Sequence, residues 1–339
     1  EKIGRDTTFG KIIEIVEQHR VFVSTIASIT SQSSIFRLKR FDTALIDEAS
    51  QVLEPVLMGL LPQFRRFVLI GDDKQLPAVV AQPKDVSRIE DEDLKAIGLY
   101  NRRNSLFERL LARSRAENWH WSFDMLSHQG RMHAEICAFP SEHFYEGKLQ
   151  LLPQDVVGNR WQVRPLQYKL PPAPSELMQR LSRQRMIFFD TPADLSQNNK
   201  VNIHEARLVA EIAASFADLY DANGMDLLPT ESIGIITPYR AQIAQIRYAL
   251  QQQRAGLAEL CTIDTVERYQ GGAREVIIIS LCLNTAHQLE TLVSLDDTER
   301  VDRKLNVALT RARQHLVLVG NKELLRQDAR YAALIDTMQ

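Results

Sequence analysis

Cysteine is scarce in this chain: Cys137, Cys261 and Cys282 are its three cysteines, far apart in 339 residues. None pairs as CxxC, so neither a disulfide framework nor a thiolate zinc site is supported, and a reducing compartment fits. Long apolar runs are lacking as well. Nothing approaches the ~20 uninterrupted apolar residues of a membrane span, and the opening EKIGRDTTFGKII has no apolar signal-peptide core. The expectation is a soluble, cytoplasmic protein with no membrane partner. Nor does either sign of charge dominate. A formal net charge of −2 argues against a surface coated in basic residues for indiscriminate nucleic-acid binding, while leaving room for a local basic groove. Residues 99–115 and 178–186 are basic clusters, although solvated helix faces are the plainer explanation of both. There is no internal repeat and no low-complexity tract.

What is present is ordinary globular material. With 45% hydrophobic and 25% charged residues, the chain is long enough for two domains with separate cores. Apolar, β-branched runs at 21–26, before Asp47, from Arg66 to an end at Asp72 or Asp73, and at 186–190, 232–237, 261–266, 275–281 and 315–320 read as strands. Helical periodicity covers 9–17, 105–114, 204–220, 239–253 and 303–313. The acidic stretch 88–95 reads as a surface loop, and 151–185 as a proline-rich excursion. Alternation of strand and helix on this scale predicts an α/β fold with parallel sheets and helices on both faces.

The stretch FDTALIDEASQVLEP places Asp47 and Glu48 at the end of a buried-type strand. In parallel sheets, chemistry gathers outside the carboxyl ends of the strands, and two acids there are suited to holding Mg²⁺ and polarising a water. The bland alternative is strong, because DE after a strand is common in any α/β protein. Asp72 with Gln75, Thr237 with Arg240, and Thr265 with Gln270 recur at comparable places. Four such placements predict two α/β lobes whose carboxyl edges face a shared cleft, with Arg311 and Arg313 on a later helix reaching in to meet phosphate charge.

Read in order, LIDEASQVLEP, LIGDDKQLPAVV, LSHQGRMHAEICAFPSEHFYEGKL, IGIITPYRAQI, IDTVERYQGGAREVIIIS and LNVALTRARQHLVLVGN resemble motifs II to VI of superfamily 1 helicases. They are most similar to the branch containing the RNA helicase of nonsense-mediated decay. The resemblance implies two RecA-like lobes, the first incomplete: 1–122 carrying motifs II and III, and 123–339 carrying motifs IV to VI. It implies ATP and Mg²⁺ as ligands and single-stranded DNA or RNA as partner, a monomer, and movement from 5′ to 3′. Under it, Asp47 binds Mg²⁺, Glu48 activates the attacking water, and Gln75 senses the γ-phosphate while Gly71 and Asp72 shape its turn. Arg131 and Arg311 become fingers on the γ-phosphate. Gln270, Gly271 and Arg313 fall at the nucleotide, and Thr25, Thr237, Arg240 and Thr265 on the nucleic-acid backbone, although hydroxyls near strand ends also cap helices.

The sequence also departs from that pattern. A phosphate loop, GxxxxGK followed by Ser or Thr, is required ahead of the Mg²⁺ acid. Gly4 to Lys11, GRDTTFGK, has five residues between its glycines, Ile12 after its lysine and no preceding strand, so it reads as a decoy. The expectation is that an N-terminal remainder of the protein carries the loop and that this chain alone is inactive. The family's Tyr before the finger arginine is Gly130, its Pro is Ala134, a glutamate after the paired glycines is Ala273, and Glu267 replaces an Asp. His120, His128, His133 and His143 crowd one region without cysteine partners and read as surface or core histidines rather than a metal site. A non-catalytic binding module, or a helicase half completed by another chain, are the rival readings.

Overall fold

The computed structural model describes residues 9–80, 82–83, 85–153, 155, 159–196, 200–269, 271–295 and 300–338. The chain divides into two compact units. One comprises Glu1–Asp73 with Pro77–Asp124, the other Lys74–Leu76 with Met125–Gln339.

In the first unit, β1 (Phe41–Ile46) and β2 (Phe64–Leu69) pair in parallel, Phe41 opposite Phe64 and Ile46 opposite Leu69. Their connection runs through the helix Glu54–Leu60, whose Leu57 packs with Ala44, Ile46, Ala49, Leu61 and Leu106 in a small core. The helix Leu106–Ala116 starts on a capping box, Ser105 and Glu108 satisfying each other's backbone N–H groups. Arg109 pins that helix to the previous one through a two-pronged bond to the Glu54 carboxylate, both side chains nearly buried. The strand expected at 21–26 does not form. Val21 and Val23 are exposed and pair with nothing described, while Thr25 instead accepts the Ser28 N–H at 3.1 Å and caps the helix Ile26–Ser31. The acidic stretch 88–95 is likewise not all loop: Asp91 caps a short helix, Glu92–Ala96, with acids in its first turn where the helix dipole favours them.

In the second unit, the two-residue strands β3 (His128–Gln129) and β4 (Gln150–Leu151) pair in parallel. The main sheet holds β5 (Met186–Asp190), β6 (Ile233–Ile236), β7 (Cys261–Asp264), β8 (Arg274–Ser280) and β9 (Ala312–Gly320) in the order β5-β9-β8-β6-β7. Every pairing is parallel. Side chains alternate between two cores: Ile277, Ile279, Leu316 and Leu318 face one, and Val276, Ile278, Val317 and Val319 the other. Helices cover both faces, which is why the buried parts of β5, β6, β8 and β9 read as apolar runs. The fold is therefore α/β, parallel sheets flanked by helices, as the alternation predicted.

A polar network is sealed at the carboxyl end of this sheet. Glu205 is fully buried and accepts the Ser280 hydroxyl at 2.7 Å and the Cys282 N–H at 2.8 Å. Gln242 donates to Ser280 Oγ and to the Asn202 carbonyl, and Asn202 donates to Asn284. Burial pushes the Glu205 carboxyl up to about 7 against the pull of its donors. A group whose folded pKa exceeds its unfolded value, 4.5 here, contributes stability that is complete below about 4.5 and lost as pH rises through about 7. Glu205 should therefore cost the folded chain on the order of 3 kcal/mol between pH 4.5 and 8. His315 slopes the other way, burial holding its imidazole down at about 3, so its contribution is complete above 6.5 and fades in acid. Urea unfolding across this range should show Glu205→Gln removing the alkaline decline and keeping the acid one. An unchanged alkaline slope would assign it elsewhere.

Candidate functional site

β1 delivers Asp47 and Glu48 to the carboxyl end of the first unit's sheet. The strand stops because Asp47 Oδ1 accepts the next N–H, that of Glu48, at 2.9 Å, a local bond that competes with the ladder. Glu48 then takes a left-handed backbone, φ 52°, and Ala49–Gln51 form a tight turn. For a glutamate that conformation costs roughly 1–2 kcal/mol. Ala49 N–H binds the Ile70 carbonyl at 2.8 Å, and Gln51 Nε2 donates to the Glu48 carboxylate, so backbone and side chain are both fixed. Both acids are exposed. The neighbouring turn needs glycine, since a Cβ on Gly71 would lie 2.9 Å from Ser50 N. Asp72 N–H reaches Ser50 Oγ at 3.3 Å.

In the second unit the two expected fingers meet at one turn. Arg131 Nη1 donates to the Thr310 carbonyl at 3.4 Å. Arg311, 1% exposed, donates from Nε to Val307 O at 3.1 Å, from Nη1 to Gly272 O at 3.3 Å, and from Nη2 to Thr310 Oγ1 and Gln75 Oε1, each at 3.4 Å. Gln75 lies in Lys74–Leu76, the stretch that belongs to this unit. Arg311 and Arg313 are not helical, contrary to expectation. The helix Arg303–Leu309 ends at Thr310, whose hydroxyl bonds back to Asn306 O at 2.8 Å, and Ala312 already enters β9. Arg313, half exposed, pairs with Glu275 at 3.2 Å.

Thr237 and Arg240 follow β6 and Thr265 follows β7, all at the carboxyl edge, whereas Gly271 precedes β8 and Arg311 and Arg313 lie at the start of β9, at the amino edge. Thr237, Arg240 and Thr265 thus stand at the carboxyl edge, while Arg311 and Arg313, expected to reach toward it, lie where β9 begins, at the opposite edge. Gly271 has φ +82°, a conformation suited to glycine. Thr237 has no exposed surface, so its hydroxyl is not presented to a nucleic acid, and its Oγ1 has no hydrogen-bond partner among the described residues. Arg240 is exposed at the first turn of Arg240–Gln253, and Thr265 N–H is held by Asp264 Oδ1 at 2.9 Å. Gln270 lies outside the described residues.

The departures have structural counterparts. A Cβ on Gly130 would come 2.6 Å from Leu152 Cδ1, so a leucine occupies the room a larger residue there would need. Glu267 lies 3.7 Å from Lys304. Among the described residues no three of His, Cys, Asp and Glu gather into a metal-holding group. His133 is instead buried, binding the Arg164 carbonyl at 3.0 Å, and His143 stacks on Phe139. All three cysteines are free and buried. Asn306, Tyr145, Thr310 and Gln51 support these side chains and escaped sequence reasoning, although all four lie within the motifs that drew attention to their neighbours.

Residues 102–323 match a family described as an AAA domain, residues 4–83 match a second AAA domain family, and the chain belongs to the superfamily 1 helicases these domains build. It is 31% identical to the DNA polymerase alpha-associated DNA helicase A of Saccharomyces cerevisiae, over 94% of this chain and 45% of that protein. It is 29% identical to the DNA replication ATP-dependent helicase/nuclease DNA2 of Mus musculus, over 99% of this chain and 30% of the other. Helicase sen1 of Schizosaccharomyces pombe shares 29%, over 95% and 17% respectively. The chain thus spans less than half the length of these relatives. Among its described residues, no helix is long and apolar enough to cross a membrane.

Proposed function

We propose that the whole protein is an ATP-dependent helicase or translocase that moves on single-stranded DNA or RNA, 5′ to 3′ by analogy with the branch its motifs resemble. The observation that carries this reading is the Asp47–Glu48 turn: two exposed carboxylates at the carboxyl end of a parallel strand, one held in a left-handed backbone and tethered by Gln51. Asp47 fits Mg²⁺, a hard cation that takes one or two protein carboxylates and completes its shell with water and phosphate. Bound there, Mg²⁺ would neutralise charge on the phosphates.

Glu48 takes the proton of the attacking water as its oxygen bonds to the γ-phosphorus and the bond to ADP breaks. Arg131 and Arg311 offset the charge that develops on the transferred group, and Gln75 reports the γ-phosphate to Arg311. Arg240 and Thr265 are the residues left to grip the nucleic-acid backbone, since Thr237 is buried and Thr25 caps a helix. Such contacts carry little sequence information. Residues 1–339 contain no GxxxxGK[ST], so this chain by itself should not turn over ATP.

The test is ATPase activity of the gene's full-length product and of this chain, with and without single-stranded DNA and RNA. Stimulated turnover by the full-length product alone is expected. A full-length product silent with both polymers would leave a binding module as the reading that survives.

A further inference from the structure

The chain leaves the first unit at Asp73, spends Lys74–Leu76 in the second, and returns at Pro77. Something must hold so short a stretch. Leu76, 6% exposed, belongs to the core cluster that includes Met132, Ile136, Phe144, Leu305 and Leu309. Polar anchorage comes from Asn306, which has no exposed surface. Its Nδ2 donates to the Lys74 carbonyl at 2.8 Å and to the Tyr145 hydroxyl at 3.0 Å. The carbonyl can only accept, so the amide nitrogen must face it. One residue further on, Gln75 Oε1 accepts from Arg311 Nη2. Asn306 and Arg311 flank the end of one helix, five positions apart in sequence and each fixing one residue of the same tripeptide.

We propose that Asn306 and Tyr145 are positioning residues for Gln75: they latch the Lys74 carbonyl to the helix Arg303–Leu309, so that the Gln75 amide stays within reach of Arg311. The inference rests on the helicase reading for its consequence and not for its geometry. Without the latch, the Lys74 carbonyl loses its bond to the helix, and the report of Gln75 to Arg311 becomes intermittent. Asn306→Asp converts the donor into a second acceptor and repels the carbonyl. Tyr145→Phe removes only the hydroxyl and keeps the ring in the core.

Lys74 supplies its own probe, because trypsin cuts after lysine. On the purified 339-residue chain, brief proteolysis read by mass spectrometry should show cleavage after Lys74 rising on the order of tenfold in Asn306→Asp, and less in Tyr145→Phe, as one or both anchoring bonds are lost. Cleavage after Lys148, which is exposed, should not change. Unchanged cleavage after Lys74, or an equal rise at both sites, overturns the latch. In the full-length product, Asn306→Ala should lower kcat for ATP with KM unchanged, and adding it to Gln75→Ala should cost nothing further. Additive losses overturn action through Gln75. A full-length wild type without ATPase would sink the helicase reading, while the proteolysis would still decide the latch.

Discussion

Glu48→Gln should lower single-strand-stimulated ATP turnover by about 10²–10⁴-fold, the range spanned by loss of a positioned general base. The change removes the capacity to take a proton and little else. Glutamine has nearly the volume of glutamate, and its oxygen can still accept the Gln51 bond that holds the side chain. The backbone cost of φ 52° is the same for both residues, so the turn should persist. Affinity for a non-hydrolysable ATP analogue should therefore stay within about threefold, because binding and chemistry separate when only the transition state loses an interaction. Steady-state turnover beside analogue titration on the full-length product checks both halves. Turnover surviving within fivefold would remove Glu48 from the chemistry and leave its strained backbone unexplained.

Sequence gave good access to the parts of this molecule that are local. All five strands of the large sheet were legible, most of them because burial on both faces leaves an apolar run, β8 being buried over its last five residues, whereas the edge strand β7 alternates Thr262 and Asp264 with its buried Cys261 and Ile263. The acids at the end of β1 were legible because the apolar run Ala44–Ile46 stops at two carboxylates, although only Ala44 and Ile46 of that strand are buried. Periodicity failed where side chains overrule it. Nothing in RKLNVALTRAR reveals that the helix will end at Thr310, whose hydroxyl bonds to the carbonyl of Asn306, before either arginine. The run at 21–26 has strand composition, but composition supplies no partner, and Thr25 finds a helix to cap instead. The division of polar groups between the two edges of the large sheet was hidden too, because it follows from where each crossover leaves the chain. Least legible of all was the residence of Lys74–Leu76 in the second unit, which rests on Asn306, 232 positions away from Lys74.

Arg311→Lys should be nearly as damaging as Glu48→Gln, with turnover falling about 10³-fold or more, the scale of a lost arginine finger. Charge is conserved in this substitution, so the prediction concerns geometry. The guanidinium reaches Val307 O, Gly272 O, Thr310 Oγ1 and Gln75 Oε1 among its partners, from all three of its nitrogens, and does so while 1% exposed. A lysine brings three donors on one nitrogen and cannot span that set, which leaves buried carbonyls unmet at about 1–3 kcal/mol each. The arginine's own contacts are unequal. Nε is held at 3.1 Å, whereas both bonds of Nη2 are 3.4 Å long. Nη2 is therefore the atom most easily turned toward a phosphate oxygen, and Gln75 is the acceptor it would release. ADP has no γ-phosphate to meet Nη2, so ADP affinity should be unchanged in Arg311→Lys, whereas the affinity for a triphosphate analogue should fall with turnover. Equal losses for ADP and the analogue would mean that Arg311 only holds the turn between Leu309 and β9. Turnover within threefold of wild type would mean that a buried arginine at this turn serves the fold and not the phosphate.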